Sequence, residues 1–213
     1  MTPKYAIVFF DVDSTLVTIE GIDVLGEGNP EVARLTDAAM NGEIPLDQVY
    51  ARRLEMIRPS RAAVDALADR YRRSLVDGAE ETIDALHSAG VAVHLVTAGI
   101  EQAVTALAEA LGIPPRGVHA VRLAFDVSGT YNDFDRTSPL TRAGGKEVVV
   151  RDVRARAHGK AAFVGDGASD LEAKPAVDLF IGFGGVHTRP RVRENADVFL
   201  SGPRLDAVLA YLV

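Results

Sequence analysis

Short apolar segments recur along the chain and predict the strands of a buried sheet. They lie at 5–10, 91–96, 118–123, 161–164 and 179–183. Most of them lack alternation of polar and apolar residues, which is typical of parallel strands covered on both faces. Helical patterns separate the strands, so the sequence predicts an α/β fold with a parallel sheet. At 124–136, the Ser128-Gly129 pair between two short stretches predicts a β-hairpin instead.

The segment 17–80 interrupts this alternation of strand and helix. It has no strong strand signal, and its pattern predicts helices at about 22–41, 46–57 and 60–75. Asn41-Gly42 and Arg58-Pro59-Ser60 separate these helices. We therefore expect a helical cap domain at 17–80. It would be inserted into a discontinuous catalytic core formed by 1–16 and 81–213.

Two pairs of carboxylates follow predicted strands. Asp11 and Asp13 come directly after the first strand and lie on the same side of an extended segment. Asp166 and Asp170 follow the strand at 161–164, in the sequence Gly-Asp-Gly-Ala-Ser-Asp. Ligands of such sheets bind at the carboxyl ends of the strands, and Mg²⁺ prefers carboxylate oxygens. The first pair would suit Mg²⁺ bound together with a substrate's phosphate, but either pair alone is equally typical of an ordinary loop.

Two further residues could hold a phosphate. Thr97, followed by Ala98 and Gly99, comes after the second strand, where a hydroxyl and free N–H groups at a helix start can bind an anion. Lys146 offers a positive charge within Ala-Gly-Gly-Lys. Alone, a Thr at a helix start is usually just an N-cap, and an isolated Lys is usually a solvated surface charge. Their order relative to the four aspartates makes them candidates.

These four segments together resemble the haloacid dehalogenase-like phosphohydrolases. The shared motifs are Asp-x-Asp-x-Thr at 11–15, Thr97, Lys146 and Gly-Asp-Gly-x-x-Asp at 165–170. The resemblance to members that hydrolyse phosphoserine extends over nearly the whole chain, including Glu20-Gly-Ile-Asp, Ile57-Arg-Pro-Ser and Ile181-Gly-Phe-Gly-Gly. It implies a Rossmann-like three-layer core with a parallel sheet, and an inserted helical-bundle cap of the C1 type.

The same resemblance implies roles for the four aspartates. Asp11 would be the nucleophile that forms an aspartyl-phosphate, and Asp13 would be the general acid and then the general base. Mg²⁺ would be held by Asp11, by the backbone carbonyl of Asp13 and by Asp166. Asp170 would orient these ligands from outside the metal's coordination shell.

Substrate recognition is expected to come from the cap. By resemblance, Glu20 would meet the substrate's amino group, and Arg53 would meet its carboxylate, which a guanidinium fork matches. Ala98 stands where the family often has Gly, and Leu46 stands where it often has Phe. The residues expected to contact the substrate are Glu20, Met40, Leu46, Arg53, Thr97, Ala98, Gly99, Lys146 and Ser169. Of these, Thr97 and Lys146 would bind the phosphoryl oxygens.

Composition excludes several classes of function. The 213 residues include no Cys, so disulfides, zinc–thiolate sites and cysteine nucleophiles are absent. The net charge of −7 argues against sequence-independent binding of nucleic acid. No apolar stretch approaches the roughly 18 residues of a membrane span. We expect a cytoplasmic protein with a small-molecule phosphomonoester substrate, without a nucleic-acid or membrane partner. Monomer and homodimer both stay open.

Other charged residues are expected to have structural or solvated roles. The five histidines show no ligand spacing, and His94, inside an apolar strand, is expected to be a core residue. Arg189 and Arg191, on either side of Pro190, are expected to be solvated.

The expected activity is Mg²⁺-dependent hydrolysis of phosphoserine to serine and phosphate, which the resemblance implies is the last step of serine biosynthesis. A phosphatase or phosphotransferase for another small phosphomonoester is an alternative, because Ala98 and Leu46 alter the expected substrate pocket. A phospho-accepting signalling module is a second alternative, since such modules also combine a phosphorylated Asp with Mg²⁺, Thr and Lys. Those modules lack a helical cap.

Overall fold

A parallel sheet forms the centre of the computed structural model, which describes residues 3–213. The strands of this range are β1 (Ile7–Phe10), β2 (Ala92–Ile100), β3 (Val118–Val121), β4 (Leu123–Phe125), β5 (Tyr131–Phe134), β6 (Ala161–Gly165), β7 (Leu179–Phe183) and β8 (Val198–Leu200). Six of them pair in the order β3-β2-β1-β6-β7-β8, all parallel. Strands β4 and β5 form a separate antiparallel hairpin.

The sheet and its flanking helices confirm the predicted α/β fold, and the predicted hairpin is present. Two details differ from the prediction. The segment 118–123 is not one strand, because β3 ends at Val121 and Leu123 already pairs with Phe134 in the hairpin. Strand β8 was not predicted, since its three residues are too few to show a pattern.

A row of stacked phenylalanines fixes the register of the central strands. Phe9 of β1 lies opposite Phe163 of β6, which lies opposite Phe180 of β7. The ring centroids are 6.3 Å and 5.9 Å apart, and all three side chains are fully buried. Aromatic pairs of this kind contribute about 0.5–1.5 kcal/mol beyond their burial. The residues that follow β1 and β6 are thereby held at the same level of the sheet edge.

The helices, with their bounds, are α1 (Gly21–Leu25), α2 (Pro30–Met40), α3 (Leu46–Ile57), α4 (Arg61–Arg73), α5 (Ala79–Ser88), α6 (Glu101–Ala110), α7 (Gly145–Arg154), α8 (Ala168–Leu171), α9 (Pro190–Asn195) and α10 (Leu209–Leu212). The first four lie in the segment for which a helical cap is predicted. Within residues 3–213, none of the helices is long and apolar enough to cross a membrane.

The helix predicted at 22–41 is in fact two helices. Helix α1 ends at Leu25, and α2 starts at Pro30. Gly28 adopts a φ of +77° in the connection, a conformation that glycine adopts without strain. Asn29 caps α2 by accepting a hydrogen bond from the N–H of Glu31 at 3.1 Å. Gly28, Asn29 and Pro30 are helix-boundary signals that the apolar periodicity across this segment concealed.

The two ends of the helical segment lie side by side. Val17 and Leu75 form an antiparallel bridge, and the N–H of Thr18 donates to the carbonyl of Ser74 at 2.7 Å. The chain therefore enters and leaves the helical segment at neighbouring points, as inserted domains commonly do. The division at residues 16/17 and 80/81 stays a prediction.

Candidate active site

The ends of β1 and β6 bring three buried carboxylates together. Phe10 lies opposite Val164 in the sheet, so Asp11 and Asp166 follow at neighbouring positions. The N–H of Asp11 donates to the carbonyl of Val164 at 3.0 Å, which extends the ladder by one residue. One carboxylate oxygen each of Asp11, Asp166 and Asp170 lies within 4.8 Å of the others. All three side chains are buried.

Lys146, at the start of α7, lies between two of these acids. Its Nζ is 2.9 Å from Asp11 Oδ1 and 2.5 Å from Asp170 Oδ1. Burial opposes the charge of the ammonium, but Asp11 and Asp170 outweigh it and hold the pKa of Lys146 above its usual range. Asp170 also accepts the N–H of Gly167 on Oδ2 at 2.8 Å. Protein donors therefore occupy both oxygens of Asp170.

Arg189 also enters this cluster, and the expectation that it is solvated is wrong. Its side chain is only 6% exposed. The Nε donates to Asp166 Oδ2 at 3.2 Å, and Nη1 donates to Asn41 Oδ1 at 3.0 Å. The positive charge compensates Asp166, and the second bond links the core to the end of α2. No local sequence pattern signals this, because Asp166 and Asn41 are distant in the chain.

The residues fit a hard divalent cation. Asp11 Oδ1 is buried and accepts no hydrogen bond within the described structure, although Lys146 is within ion-pair distance. Burial and the Asp11 charge raise the pKa of Asp166 to about 7. An orphaned carboxylate oxygen and an excess of acids are what a cation with oxygen ligands would relieve. Because both oxygens of Asp170 are occupied, its expected place outside the coordination shell fits the geometry.

Asp13 is held at the end of the first loop by two donors. Its Oδ1 accepts the N–H of Gly21 at 2.8 Å and the hydroxyl of Tyr71 at 2.8 Å. Burial, and then the charge of Asp11, raise the pKa of Asp13 to about 6. A carboxyl group with this pKa keeps its proton in a minor part of the population near neutral pH, and a general acid acts from that protonated form.

A pocket lies over Asp11 between the helical segment and the sheet edge. Its walls include all the residues expected to contact a substrate, namely Glu20, Met40, Leu46, Arg53, Thr97, Ala98, Gly99, Lys146 and Ser169. Asp11 and Asp13 lie on the same surface. The structure therefore brings into one cavity the candidate nucleophile, the candidate general acid, and the residues expected to bind the phosphate and the rest of the substrate.

Two tyrosines of this pocket were missed by the sequence analysis. Tyr50 lies one turn before Arg53 on α3, and its hydroxyl donates to the carbonyl of Ala98 at 3.0 Å. Tyr71 lies on the buried face of α4. A tyrosine hydroxyl on an otherwise apolar helical face needs a buried hydrogen-bond partner. This pattern could have marked both tyrosines as candidates for the site. The identity of the partner could not follow from spacing.

The recognition residues carry opposite charges. Arg53 is 6% exposed, and its Nη1 donates to Thr36 Oγ1 at 3.1 Å. Its Nε is buried without a hydrogen-bond partner among the described residues. Glu20 accepts the hydroxyl of Ser14 at 2.6 Å, and burial together with Asp13 raises its pKa well above the usual range. The pocket thus offers a free guanidinium donor and an acid whose charge lacks compensation.

Thr97 lies in the pocket but not at a helix start. Strand β2 continues to Ile100, and α6 begins at Glu101, so the expected helix-start anion site is wrong. The Thr97 hydroxyl instead accepts the N–H of Gly99 at 3.0 Å, within the extended chain. Thr97 is buried at the pocket wall, where its hydroxyl O–H remains available to donate.

Comparison with known proteins agrees with the fold and the site. The profile of the haloacid dehalogenase-like hydrolase family matches residues 8–173. The chain therefore belongs to the haloacid dehalogenase-like hydrolase family.

Similar proteins indicate to which branch of the family the chain belongs. A phosphoserine phosphatase of Bos taurus is 38% identical over 91% of this chain and 88% of its own. A chloroplastic phosphoserine phosphatase of Arabidopsis thaliana is 40% identical over 89% of this chain and 66% of its own. A solved phospho-aspartyl intermediate analogue of phosphoserine phosphatase is 27% identical, with a TM-score of 0.87, over 99% of this chain and 100% of its own. These similarities assign the chain to the phosphoserine phosphatase branch of the family.

Proposed function

We propose that the chain is a Mg²⁺-dependent phosphoserine phosphatase, which hydrolyses O-phospho-L-serine to serine and phosphate. The observation that carries this proposal is that Asp11, Arg53 and Glu20 line one and the same pocket. A phosphate over Asp11 would leave the substrate's carboxylate and ammonium to meet a cation and an anion. The chemistry follows from the residues around Asp11.

In the first step, a carboxylate oxygen of Asp11 attacks phosphorus, and the bond between phosphorus and the serine oxygen breaks. Asp13 gives its proton to that oxygen, so serine leaves as a neutral alcohol. Its raised pKa of about 6 supports this role, since burial and Asp11 keep part of the population protonated. The product is an aspartyl-phosphate on Asp11.

In the second step, a water attacks the same phosphorus and gives a proton to the Asp13 carboxylate. The bond between phosphorus and Asp11 breaks, phosphate leaves, and both aspartates return to their starting states. Lys146 and Thr97 would hold the phosphoryl oxygens throughout. Mg²⁺ bound by Asp11, the Asp13 carbonyl and Asp166 would offset the phosphoryl charge.

Substrate choice would come from the two recognition residues. The Nε of Arg53, which has no hydrogen-bond partner in the described part of the chain, gives a donor for the carboxylate of phosphoserine. An ammonium beside Glu20 would compensate an acid whose pKa burial and Asp13 raise strongly. Met40, Leu46, Ala98, Gly99 and Ser169 would complete the walls.

We also propose how the chain is divided into domains and where the enzyme acts. Residues 17–80 would act as a cap domain over a core of 1–16 and 81–213, and this segment contributes Glu20, just before α1, and Arg53 of α3 to the pocket. This covered pocket favours a small-molecule substrate over the signalling-module alternative. We also propose a cytoplasmic location and no nucleic-acid partner.

The test is phosphate release from phosphoserine and from phosphoethanolamine, which keeps the ammonium but lacks the carboxylate. With Mg²⁺, phosphoserine should be turned over at least about tenfold more efficiently, because the Arg53 contact with the carboxylate is lost in the other ester. EDTA should abolish turnover, and Asp11→Asn serves as the inactive control. Equal efficiency on both esters would refute the assigned substrate. An added alcohol acceptor that captures phosphate would indicate the phosphotransferase alternative.

A further inference from the structure

The two carboxylate oxygens of Asp13 have different surroundings. Oδ1 accepts two hydrogen bonds, from the N–H of Gly21 and from the hydroxyl of Tyr71, each at 2.8 Å. Oδ2 lies against the pocket wall, since a Cβ built on Gly99 would be 3.2 Å from it. Gly99 lines the pocket over Asp11. One oxygen is therefore committed to protein donors, and the other faces the place where substrate would bind.

We propose that Tyr71 is a positioning residue for the general acid, which fixes Oδ1 as the accepting oxygen and leaves the transferable proton on Oδ2. This proposal rests on the function proposed above, in which Asp13 protonates the leaving oxygen. Tyr71 donates to Oδ1 and not to the oxygen that would carry the transferable proton. It acts by holding the carboxyl plane and by deciding which oxygen carries the proton.

The donors around Asp13 determine which of its two oxygens carries the proton. A backbone N–H only donates, so Gly21 requires Oδ1 to be an acceptor whatever the state of Asp13. The hydroxyl oxygen of a protonated carboxyl group is a poor acceptor, and a proton on Oδ1 would compete with both bonds. Placed on Oδ2, the proton disturbs neither bond and points to the pocket side.

The packing of α1 against α4 brings both donors to Asp13. Tyr71 belongs to the buried stripe of α4 that also includes Val64, Leu67 and Ala68. A Cβ on Gly21 would lie 2.0 Å from the Tyr71 hydroxyl oxygen, so only glycine permits this approach. The position of the Tyr71 hydroxyl thus depends on glycine at position 21, and both residues belong to the predicted cap segment. The geometry of the acid therefore depends on helices that are distant from Asp13 in the chain.

The experiment is Tyr71→Phe, which keeps the ring and removes only the hydroxyl. It compares kcat/KM for phosphoserine with that for acetyl phosphate, because acetate leaves without needing a proton. We expect a loss of about 10-fold to 100-fold for phosphoserine, less than the roughly 100-fold to 10,000-fold of general acid catalysis because Asp13 itself remains, and less than about threefold for acetyl phosphate. The affinity for phosphoserine, measured by calorimetry in an Asp11→Asn background, should stay unchanged.

Tyr131→Phe is the matched control, because Tyr131 is also buried but lies outside the pocket. It should leave both activities at the wild-type level. Equal losses of kcat/KM on both substrates, an unchanged kcat/KM on phosphoserine, or a weaker affinity that accounts for the loss would overturn the role of Tyr71. Failure of the wild type to hydrolyse phosphoserine would refute the proposed function instead, and it is seen before any variant is compared.

Discussion

Thr36 holds the guanidinium of Arg53 in the pocket wall. Its hydroxyl oxygen accepts Nη1 of Arg53 at 3.1 Å and is 2.6 Å from Asp23 Oδ1, to which it donates. Asp23, Thr36 and Arg53 thus form a short chain of hydrogen bonds from α1 through α2 to α3. Thr36 thereby engages one Nη nitrogen of the guanidinium, while Nε has no hydrogen-bond partner among residues 3–213.

Thr36→Val should therefore weaken the binding of phosphoserine. Loss of a hydrogen bond to a charged group costs about 1.5–3 kcal/mol, so we expect KM for phosphoserine to rise about 10-fold or more. Steady-state kinetics on phosphoethanolamine should change little, because that ester has no carboxylate for Arg53. Thr36→Ser keeps the hydroxyl and serves as the control. A similar rise in KM for both esters would contradict the role of Thr36 in orienting Arg53.

Arg189→Gln should destabilise the protein. Removal of one partner of a buried ion pair leaves Asp166 uncompensated and costs about 3–5 kcal/mol. Denaturant titration in EDTA would measure the loss, and Mg²⁺ should restore part of it, because a bound cation would supply the missing charge. Arg191→Gln is the matched control, since Arg191 is exposed and its contact with the carbonyl of Gly42 is long, at 3.5 Å. The pairing with Asp166 would be unimportant if both variants were equally stable.

Gly21→Ala should cost stability through a contact with Tyr71. The new Cβ would lie 2.0 Å from the Tyr71 hydroxyl oxygen but 2.8 Å from the ring carbon that bears it. Overpacking of this kind typically costs about 1–3 kcal/mol. The double variant Gly21→Ala/Tyr71→Phe should recover part of that loss, which a double-mutant cycle of unfolding free energies would detect. Strict additivity would mean that the two residues are not coupled.

His94 and His119 should make stability depend on pH. Their Nδ1 and Nε2 atoms are 3.1 Å apart on neighbouring strands, so one ring donates to the other. Burial, with His119 and Arg116, lowers the pKa of His94 to about 4, and burial lowers that of His119 against the opposing charge of Asp152. In the folded state His94 thus stays neutral at pH values where the unfolded chain binds a proton.

The stability from this pair is fully present above the ordinary histidine pKa of about 6.5 and is lost as pH falls toward 4. The full shift of His94 corresponds to about 3 kcal/mol, which partial exposure of the ring reduces to about 1–2 kcal/mol. His94→Asn should lose less stability than the wild type between pH 6.5 and 4, measured by urea titration at each pH. Exposed His158→Asn is the control. Parallel pH profiles for wild type and His94→Asn would exclude the pair as the cause.

Much of the fold was predictable because the central strands are buried on both faces. Continuous apolar runs marked β1, β2, β6 and β7, and their alternation with helices predicted a parallel sheet. The structure confirms that sheet. The boundary between α1 and α2 was missed although Gly28 and Pro30 signal it, because apolar residues continue on both sides. Strand β8 has too few residues for any periodicity to show.

The sequence by itself determined which chemical groups lie at the sheet edge. Asp11 and Asp166 each follow a strand, and the hydrogen-bond ladder of a parallel sheet places such residues next to each other. Only the tertiary structure decided what surrounds them. Tyr71 reaches Asp13 across 58 residues, and Arg189 joins Asp166 to Asn41 across the boundary between core and helical segment. Those contacts depend on how closely helices pack, which no spacing along the chain encodes.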